Sequence, residues 1–486
     1  TSVLSGKQRR LPVARQSIPC CFTQACRPAA LALVILVLVG NFGIAAPAAG
    51  ENADWLAGIA SVKITPEKPV PLAGYASRVK PFESIDQDIY AKALVLKDTQ
   101  GARAVLLTID LCVLPADVGQ TVRKRIAEKT QIEEASILLN VAHSHSAPAV
   151  SLDPKPESDA GAAYHDGTVE YTKWLCDRLV EVAEQAAATG RMEPARLSWG
   201  TGVANFVMNR REFTDKGVIL GNNPRGLVDR SVPVLRVDAP DGKPRAVLFG
   251  YACHNTTMPA NRLAVSGDYE GYAKEYVQQH YPGAQAMFMT GCAGDANPYL
   301  RNNYQLTKDY GETLGKEVCR VMETKLQPVR GPLKCAEVTA ALPLQTPDRA
   351  ALEAIATGPK GINKESAEKM LAILDAGGKL PAKYDAPVEA WQFGPDLTLI
   401  ALPDEVVVEY VQDLERAVGP LRLWVSAYNQ EVAGYIPSAR ILKEGGYETR
   451  GLYFGAGWFA PGVEEALTHA GRDAAEKAGR EMGKAD

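Results

Sequence analysis

From about Val62 to the C-terminus, apolar runs of strand length alternate with segments of helical character, and no repeat, heptad or low-complexity tract interrupts them. That alternation constrains the fold most, because each sheet face and each helix stripe must bury its apolar side against another element. The expected class is α/β, with layered mixed sheets and helices. Helices are expected over 168–188, 269–279 and 307–324. Residues 346–387 are expected to form a helical insertion. Its first helix would start at Thr346-Pro347-Asp348, an N-cap followed by proline at the first helical position, and its second would run over 365–376 and stop at Gly377-Gly378. A last α/β portion is expected from about residue 388. At 486 residues with 46% apolar content, the chain can bury a full core as one large domain or two intimately packed ones.

The first 50 residues read differently. Lys7, Arg9, Arg10, Arg15 and Arg27 precede the apolar run 29–39, and no acid occurs before Glu51. This is the pattern of an export signal, with Ala46-Pro47-Ala48 offering small residues for cleavage before Ala49. Residues 1–48 are therefore expected to be a signal peptide and the product to be exported, periplasmic or secreted. Anchoring through 29–46 is the alternative, and no integral span is expected after cleavage. Loss of the five cations leaves 48 Lys and Arg against 57 acids, a net charge of −9. Such a chain is not drawn to anionic membranes, and its mixed charge does not suggest a nucleic-acid binder. Of nine cysteines, Cys112, Cys176, Cys253, Cys292, Cys319 and Cys335 follow the leader. No C-x-x-C pair is among them, which disfavours a thiolate zinc site, and both disulfides and reduced thiols stay open.

Several apolar runs lead straight into side chains with catalytic or metal-binding chemistry. The run 137–142 ends at His143-Ser144-His145, the run 246–252 at Cys253-His254 and the run 397–402 at Pro403-Asp404-Glu405; the run 423–427 is followed by Tyr428 and Tyr435. Ligand crevices in open α/β sheets lie outside the carboxyl ends of strands, so these endings are expected around one site. Alternate residues of an extended segment share a face, which lets His143 and His145 look into one cavity, one as ligand and the other free to exchange a proton. Three of the six histidines sit at these endings, whereas His165, His280 and His469 lie in loop or helical contexts and read as structural or surface residues. Two imidazoles and Glu405 make the His₂Glu set of many hydrolytic zinc sites, where the ion activates water and polarises a carbonyl. Glu405 also reads as a cap of the helix that would start at Val406. The glycine-rich turn 291–298 is either a source of N–H groups for an oxyanion or a tight loop.

Taken together, these segments resemble the neutral ceramidase family, zinc amidases that split the N-acyl bond of ceramide. His143-Ser144-His145-Ser146-Ala147-Pro148 is similar to the family's T-H-T-H-S-G-P, and His254-Asn255-Thr256-Thr257-Met258 to its H-P-T-S-M. Ser266-Gly267-Asp268-Tyr269-Glu270-Gly271-Tyr272-Ala273 is similar to S-G-D-N-K-G-Y-A, and Pro403-Asp404-Glu405 to P-G-E. Gly434-Tyr435 and Tyr447-Glu448 match a G-Y and Y-E pair at equal spacing, and Asn209-Arg210 matches an N-R-S. The resemblance runs in order over most of residues 55–460. It implies a zinc hydrolase domain over 49–486, with Zn²⁺ held by His143, His254, Glu405 and Tyr435. His145, Arg210 and Tyr447 are then placed to bind a lipid or related small-molecule substrate or to stabilise the oxyanion. Two departures accompany it. Asn297 stands where the family carries a serine; asparagine is no activated alcohol, but with zinc-bound water as nucleophile it is expected to donate a hydrogen bond to the oxyanion. The family's immunoglobulin-like C-terminal domain is not expected within the sequence up to Asp486. An ester or acyl-sugar substrate and a non-catalytic metal-binding role are the alternatives.

Overall fold

Strand formation in the body of the chain follows burial on alternate faces. In Tyr90–Asp98, Leu94 and Leu96 enter one apolar cluster while Ala91, Ala93 and Val95 enter another; Arg103–Ile109 divides Leu106 from Val105 and Leu107 in the same way. The period of two, buried on both sides, is the mark of a sheet covered on each face. These elements come from a computed structural model that describes residues 53–482 except 79, 154–164, 359–361 and 454. The expected signal peptide lies outside the described residues.

Eight strands run side by side in the order Gln285–Thr290, Pro244–Tyr251, Ser231–Asp238, Glu193–Val203, Trp55–Lys63, Tyr90–Asp98, Arg103–Ile109 and Ile137–Val141. Gln327–Val329 adds a ninth beside Glu193–Val203. A second sheet orders Leu333–Pro343, Lys383–Phe393, Leu397–Ala401 and Leu423–Ser426. The two sheets pack face to face through Leu94, Leu106, Leu248, Met287, Trp391, Phe393, Leu399 and Trp424. Helices Ala116–Thr130 and His165–Ala187 cover one half of the outer face of the large sheet, Asp268–His280 and Tyr304–Met322 the other half. Val463–Lys477 covers the outer face of the small sheet. Each fully buried Leu or Val contributes roughly 1.5–3 kcal/mol relative to exposure, so burial on both faces is the main term holding the four layers together. The class is the α/β arrangement of layered mixed sheets that the sequence implies.

The helices at 349–356 and 362–375 sit at the tip of a hairpin, because Leu333–Pro343 and Lys383–Phe393 pair antiparallel without interruption from Leu333↔Phe393 to Pro343↔Lys383. Residues 383–387, expected in the helical stretch, are strand: Ala386, Val388 and Ala390 line up on the face under helix Val463–Lys477. The first helix also starts later than its proline implies, since Asp348 is the N-cap and its carboxylate accepts from Ala351 N at 2.8 Å.

The parallel pairs in these two sheets are Arg103–Ile109 with Ile137–Val141, Pro244–Tyr251 with Gln285–Thr290, and Leu397–Ala401 with Leu423–Ser426. All six of these strands lead at their carboxyl ends into site residues or their supports. Asn140, fully buried, joins them: its Oδ1 accepts from Thr290 N at 3.0 Å, and its Nδ2 donates to Ala427 O at 2.8 Å and Asn429 Oδ1 at 3.0 Å. Val141 N donates to Tyr428 O and Ala427 N to Thr290 O, both at 3.1 Å. The two edges of the large sheet and the end of the small one are thus held at one place.

Candidate metal centre

Two short ladders bring the expected ligands together. Segment 143–146 runs beside 254–257, with a parallel bridge between Ser144 and Asn255 and a bond from His145 N to Asn255 O at 3.1 Å. Glu405–Val406 pairs in parallel with Tyr435–Ile436, which sets Glu405 directly beside Tyr435. The chain turns sharply where strands give way to the site: His143 has φ 61°, Asp404 60° and Tyr428 60°, left-handed values that cost energy for side chains of this kind and cluster at functional sites. Gly294 lets the Glu405 turn approach, since a Cβ there would stand 2.5 Å from Glu405 O.

Each imidazole is anchored by its Nδ1. His143 donates from Nδ1 to Cys112 O at 2.7 Å, and His254 from Nδ1 to Ala293 O at 2.8 Å. This turns the Nε2 of both rings toward Glu405, the arrangement found where histidine ligates a metal. Both Nε2 atoms lie 3.1 Å from Glu405 Oε2, and Tyr435 Oη lies 3.3 Å from His254 Nε2. Donors placed 2.0–2.1 Å from a tetrahedral zinc are on the order of 3.3 Å apart, so this set has the size such an ion requires. His143, His254 and Glu405 form a group able to hold a metal ion, and all three are buried. The residues present therefore fit the metal that the resemblance implies.

The electrostatics agree. Burial opposes the charge on Glu405, but His143 and His254 more than offset it and hold its carboxyl well below the usual range. Burial likewise opposes charge on His143, yet Glu405 and Cys112 raise it to about 10. His254 falls to about 3, through burial and then Arg210 and His143. The ionised Glu405 carboxylate thus draws positive charge onto His143, charge that a bound metal would supply in place of the proton, while His254 is kept neutral as a ligand must be.

Around the set, the sequence-derived residues divide. His145 Nε2 is 3.1 Å from His143 Nε2, and burial with the neighbouring His143 and His254 keeps it neutral. Arg210 Nη1 lies 2.9 Å from His254 Nε2, and its Nε donates to Glu448 Oε1 at 2.8 Å. Tyr447 is half-exposed at the mouth, its ring 5.5 Å from that of Tyr435 and under Arg210 and Arg450. A cavity of about 270 Å³ opens onto the set, walled by Ala73, Tyr75, Val113, Val150, His145, Tyr435, Tyr447 and Tyr453 among others. Asn297 is not a wall of it. That residue sits one position beyond Ala296, whose carbonyl accepts from His254 N, and takes a long bond from Thr256 Oγ1 at 3.5 Å. The glycine-rich turn is a tight loop: Gly291 N and Gly294 N are occupied by Tyr251 O and Val406 O, which removes them as oxyanion donors. His280 and His469 lie on helices away from the cluster.

Sequence reasoning placed Tyr428 near the site without a role and missed the other supports. Tyr453 Oη donates to Glu405 Oε1 at 2.8 Å and Tyr428 Oη approaches Glu405 Oε2 at 3.4 Å, leaving Oε2 directed at the imidazoles. Glu448 binds Arg210 through one oxygen and Arg211 through the other, at 2.8 and 2.5 Å. Only its place after Tyr447 in the paired motif signalled it. All six cysteines among the described residues are free thiols.

The chain is similar to named proteins over much of this structure. Neutral ceramidase B of Dictyostelium discoideum is 27% identical over 255 residues, 48% of this chain and 34% of that protein. Neutral ceramidase 1 of Arabidopsis thaliana is 22% identical over 252 residues, 48% of this chain and 30% of that protein. The chain thus spans about a third of the length of the curated relatives it matches. The solved neutral ceramidase of Pseudomonas aeruginosa superimposes with a TM-score of 0.65 at 18% identity, covering 88% of this chain and 75% of that one, a likeness of fold. The sequence model of the family's N-terminal portion matches residues 55–344, and the chain belongs to the neutral/alkaline non-lysosomal ceramidase family.

Proposed function

We propose that this chain is a zinc-dependent amidohydrolase that cleaves the N-acyl bond of a ceramide-like lipid. The observation that carries the reading is the convergence of two Nδ1-anchored imidazoles and the Glu405 carboxylate at 3.1 Å, at the floor of a largely apolar cavity. His143, His254, Glu405 and Tyr435 would hold the ion, and a zinc ion bound there supplies a Lewis acid and a water of lowered pKa. The chain's own groups do the rest. His145, kept neutral by burial, is positioned to accept a proton at Nε2 and return it to the departing amine. Arg210, held from behind by Glu448, presents a fixed cation to the carbonyl oxygen as negative charge develops on it, and Tyr447 closes the mouth over the substrate. Tyr453 and Tyr428 keep Glu405 in one orientation. The apolar walls receive an acyl or alkyl chain and exclude water from the reacting bond.

Asn297 supports a second reading. The resemblance to ceramide-cleaving enzymes is incomplete where this residue replaces a serine beside the His254 segment, and an ester or acylated sugar becomes the competing class. Purified protein should be offered N-acyl amide, ester and acyl-sugar probes, each with and without chelator. Turnover of the amides that the chelator abolishes supports the proposal; turnover of esters or acyl sugars alone replaces its substrate class, and no turnover of any probe by zinc-loaded protein points to a binding role. We further propose export with cleavage before Ala49, read by N-terminal sequencing of the exported protein. Among the described residues no helix is long and apolar enough to cross a membrane.

A further inference from the structure

The carbonyl of Cys112 anchors His143, but its thiol is given no role in the proposed function, although it stands in the wall of the same cavity. Its Sγ is 3.9 Å from His143 Nδ1, and the thiol is free and buried. Cys112, His143 and His145 each offer one donor atom within 4.8 Å of the others, a second group that shares His143 with the first. His145 adds an independent sign. Its Nδ1 is buried with no hydrogen-bond partner, in a ring that is 9% exposed and lines the cavity. Its other nitrogen, Nε2, lies 3.1 Å from His143 Nε2, so the ring stands beside His143 with no protein acceptor at Nδ1 to fix its tautomer, and either nitrogen can carry the lone pair that an ion requires.

We propose that Cys112, His145 and His143 form a second metal position, selective for soft divalent cations such as Cd²⁺ and Hg²⁺. The donor set decides the selectivity: the first group offers nitrogen and oxygen, whereas the second adds sulfur, which prefers soft ions. On binding, the metal–sulfur bond forms as the Cys112 thiol proton leaves to solvent. Because His143 belongs to both groups, an ion in the second position competes for that ring and also fills the cavity in front of Glu405.

The test uses the purified full chain with Cys20, Cys21 and Cys26 replaced by serine, first equilibrated with one equivalent of zinc and then titrated with Cd²⁺. Sulfur-to-cadmium charge-transfer absorbance and bound metal after gel filtration are read together, so the result does not depend on the substrate or on amide hydrolysis. The absorbance band should saturate at one cadmium per chain. Both Cys112→Ala and Cys112→Ser should abolish it, the serine variant preserving polarity should alanine impair folding. His145→Ala should weaken apparent cadmium affinity at least ~10-fold, the lower end of what even an outer partner of a metal ligand is worth. Cys335→Ala, which removes the half-buried thiol, should leave the band intact. A full band in either Cys112 variant, no band in the unaltered protein, or unchanged affinity in His145→Ala overturns the proposal.

Discussion

Replacing Glu448 with glutamine should destabilise the folded chain by about 3 kcal/mol at neutral pH. The carboxylate is 1% exposed and lies between two guanidinium groups that are 4% and 1% exposed, so solvent screens neither pair. At an effective dielectric near 20, opposite charges 4 Å apart attract by ~4 kcal/mol, and removing one partner of a buried pair costs about 3–5 kcal/mol because the other charge is stranded. The lower end applies: Arg211 keeps Glu444 at 3.0 Å and Gly445 O at 2.8 Å, and glutamine retains one acceptor oxygen. Burial pushes the Glu448 carboxyl up, but Arg210 and Arg211 outweigh it and hold the folded pKa below 4.5. The advantage of the native residue is therefore complete above that value and is lost as pH falls through the depressed one. Urea unfolding followed by circular dichroism, at pH 7 and again near pH 4, measures both effects. Arg211→Met combined with Glu448→Gln should show a coupling of at least ~1 kcal/mol. A loss below ~1 kcal/mol at pH 7 with an unchanged urea dependence would refute the argument.

Gly74→Ala should impair hydrolysis more than it lowers the melting temperature, because a Cβ at φ 89° would stand 2.3 Å from His145 Nδ1 and force that ring to move; unchanged kcat/KM would sink this. Asn140→Ala should cost at least ~1 kcal/mol in urea unfolding, since it leaves Thr290 N without its side-chain acceptor at about 1–3 kcal/mol and leaves Ala427 O only a long bond from Ser426 Oγ at 3.4 Å. Glu270 sits in a buried cluster with Lys274, Asp110 and Lys92, and burial followed by Asp110 raises its carboxyl from 4.5 to about 8. A raised carboxyl pKa means that the fold retains a proton the unfolded chain has released, so this residue's contribution falls as pH rises from 4.5 to 8. Glu270→Gln should flatten that slope, and urea midpoints at three pH values across the window decide it.

The residues that meet at the site were legible where local pattern and chemistry coincide. Runs ending at His143, His254 and Glu405 are strands because both their faces are buried, and their ends meet because parallel neighbours point the same way. Supports from distant sequence left no such trace. Glu448 reaches back 237 residues to Arg211, and Tyr453 reaches 48 to Glu405, contacts that no periodicity encodes. The helical excursion at 349–375 misled the boundary for a related reason: residues 383–387 become strand only because Leu333–Pro343 lies alongside them. The sequence shows no C-x-x-C pair and leaves Cys112 open between disulfide and reduced thiol, whereas its neighbours in space are histidines from another strand end.

Zinc-restored hydrolysis tests the central claim most directly. The purified chain is stripped with chelator, dialysed and titrated with Zn²⁺ while cleavage of an N-acyl sphingoid amide is followed, and bound metal is measured in the same samples. Activity should be absent at the start, rise in proportion to bound zinc and level off at about one ion per chain, as expected of a single four-ligand site. In His254→Ala the zinc should not be retained and the activity should not return. Full amide hydrolysis by the stripped protein, or one tightly held zinc in His254→Ala, would contradict the assignment of this site.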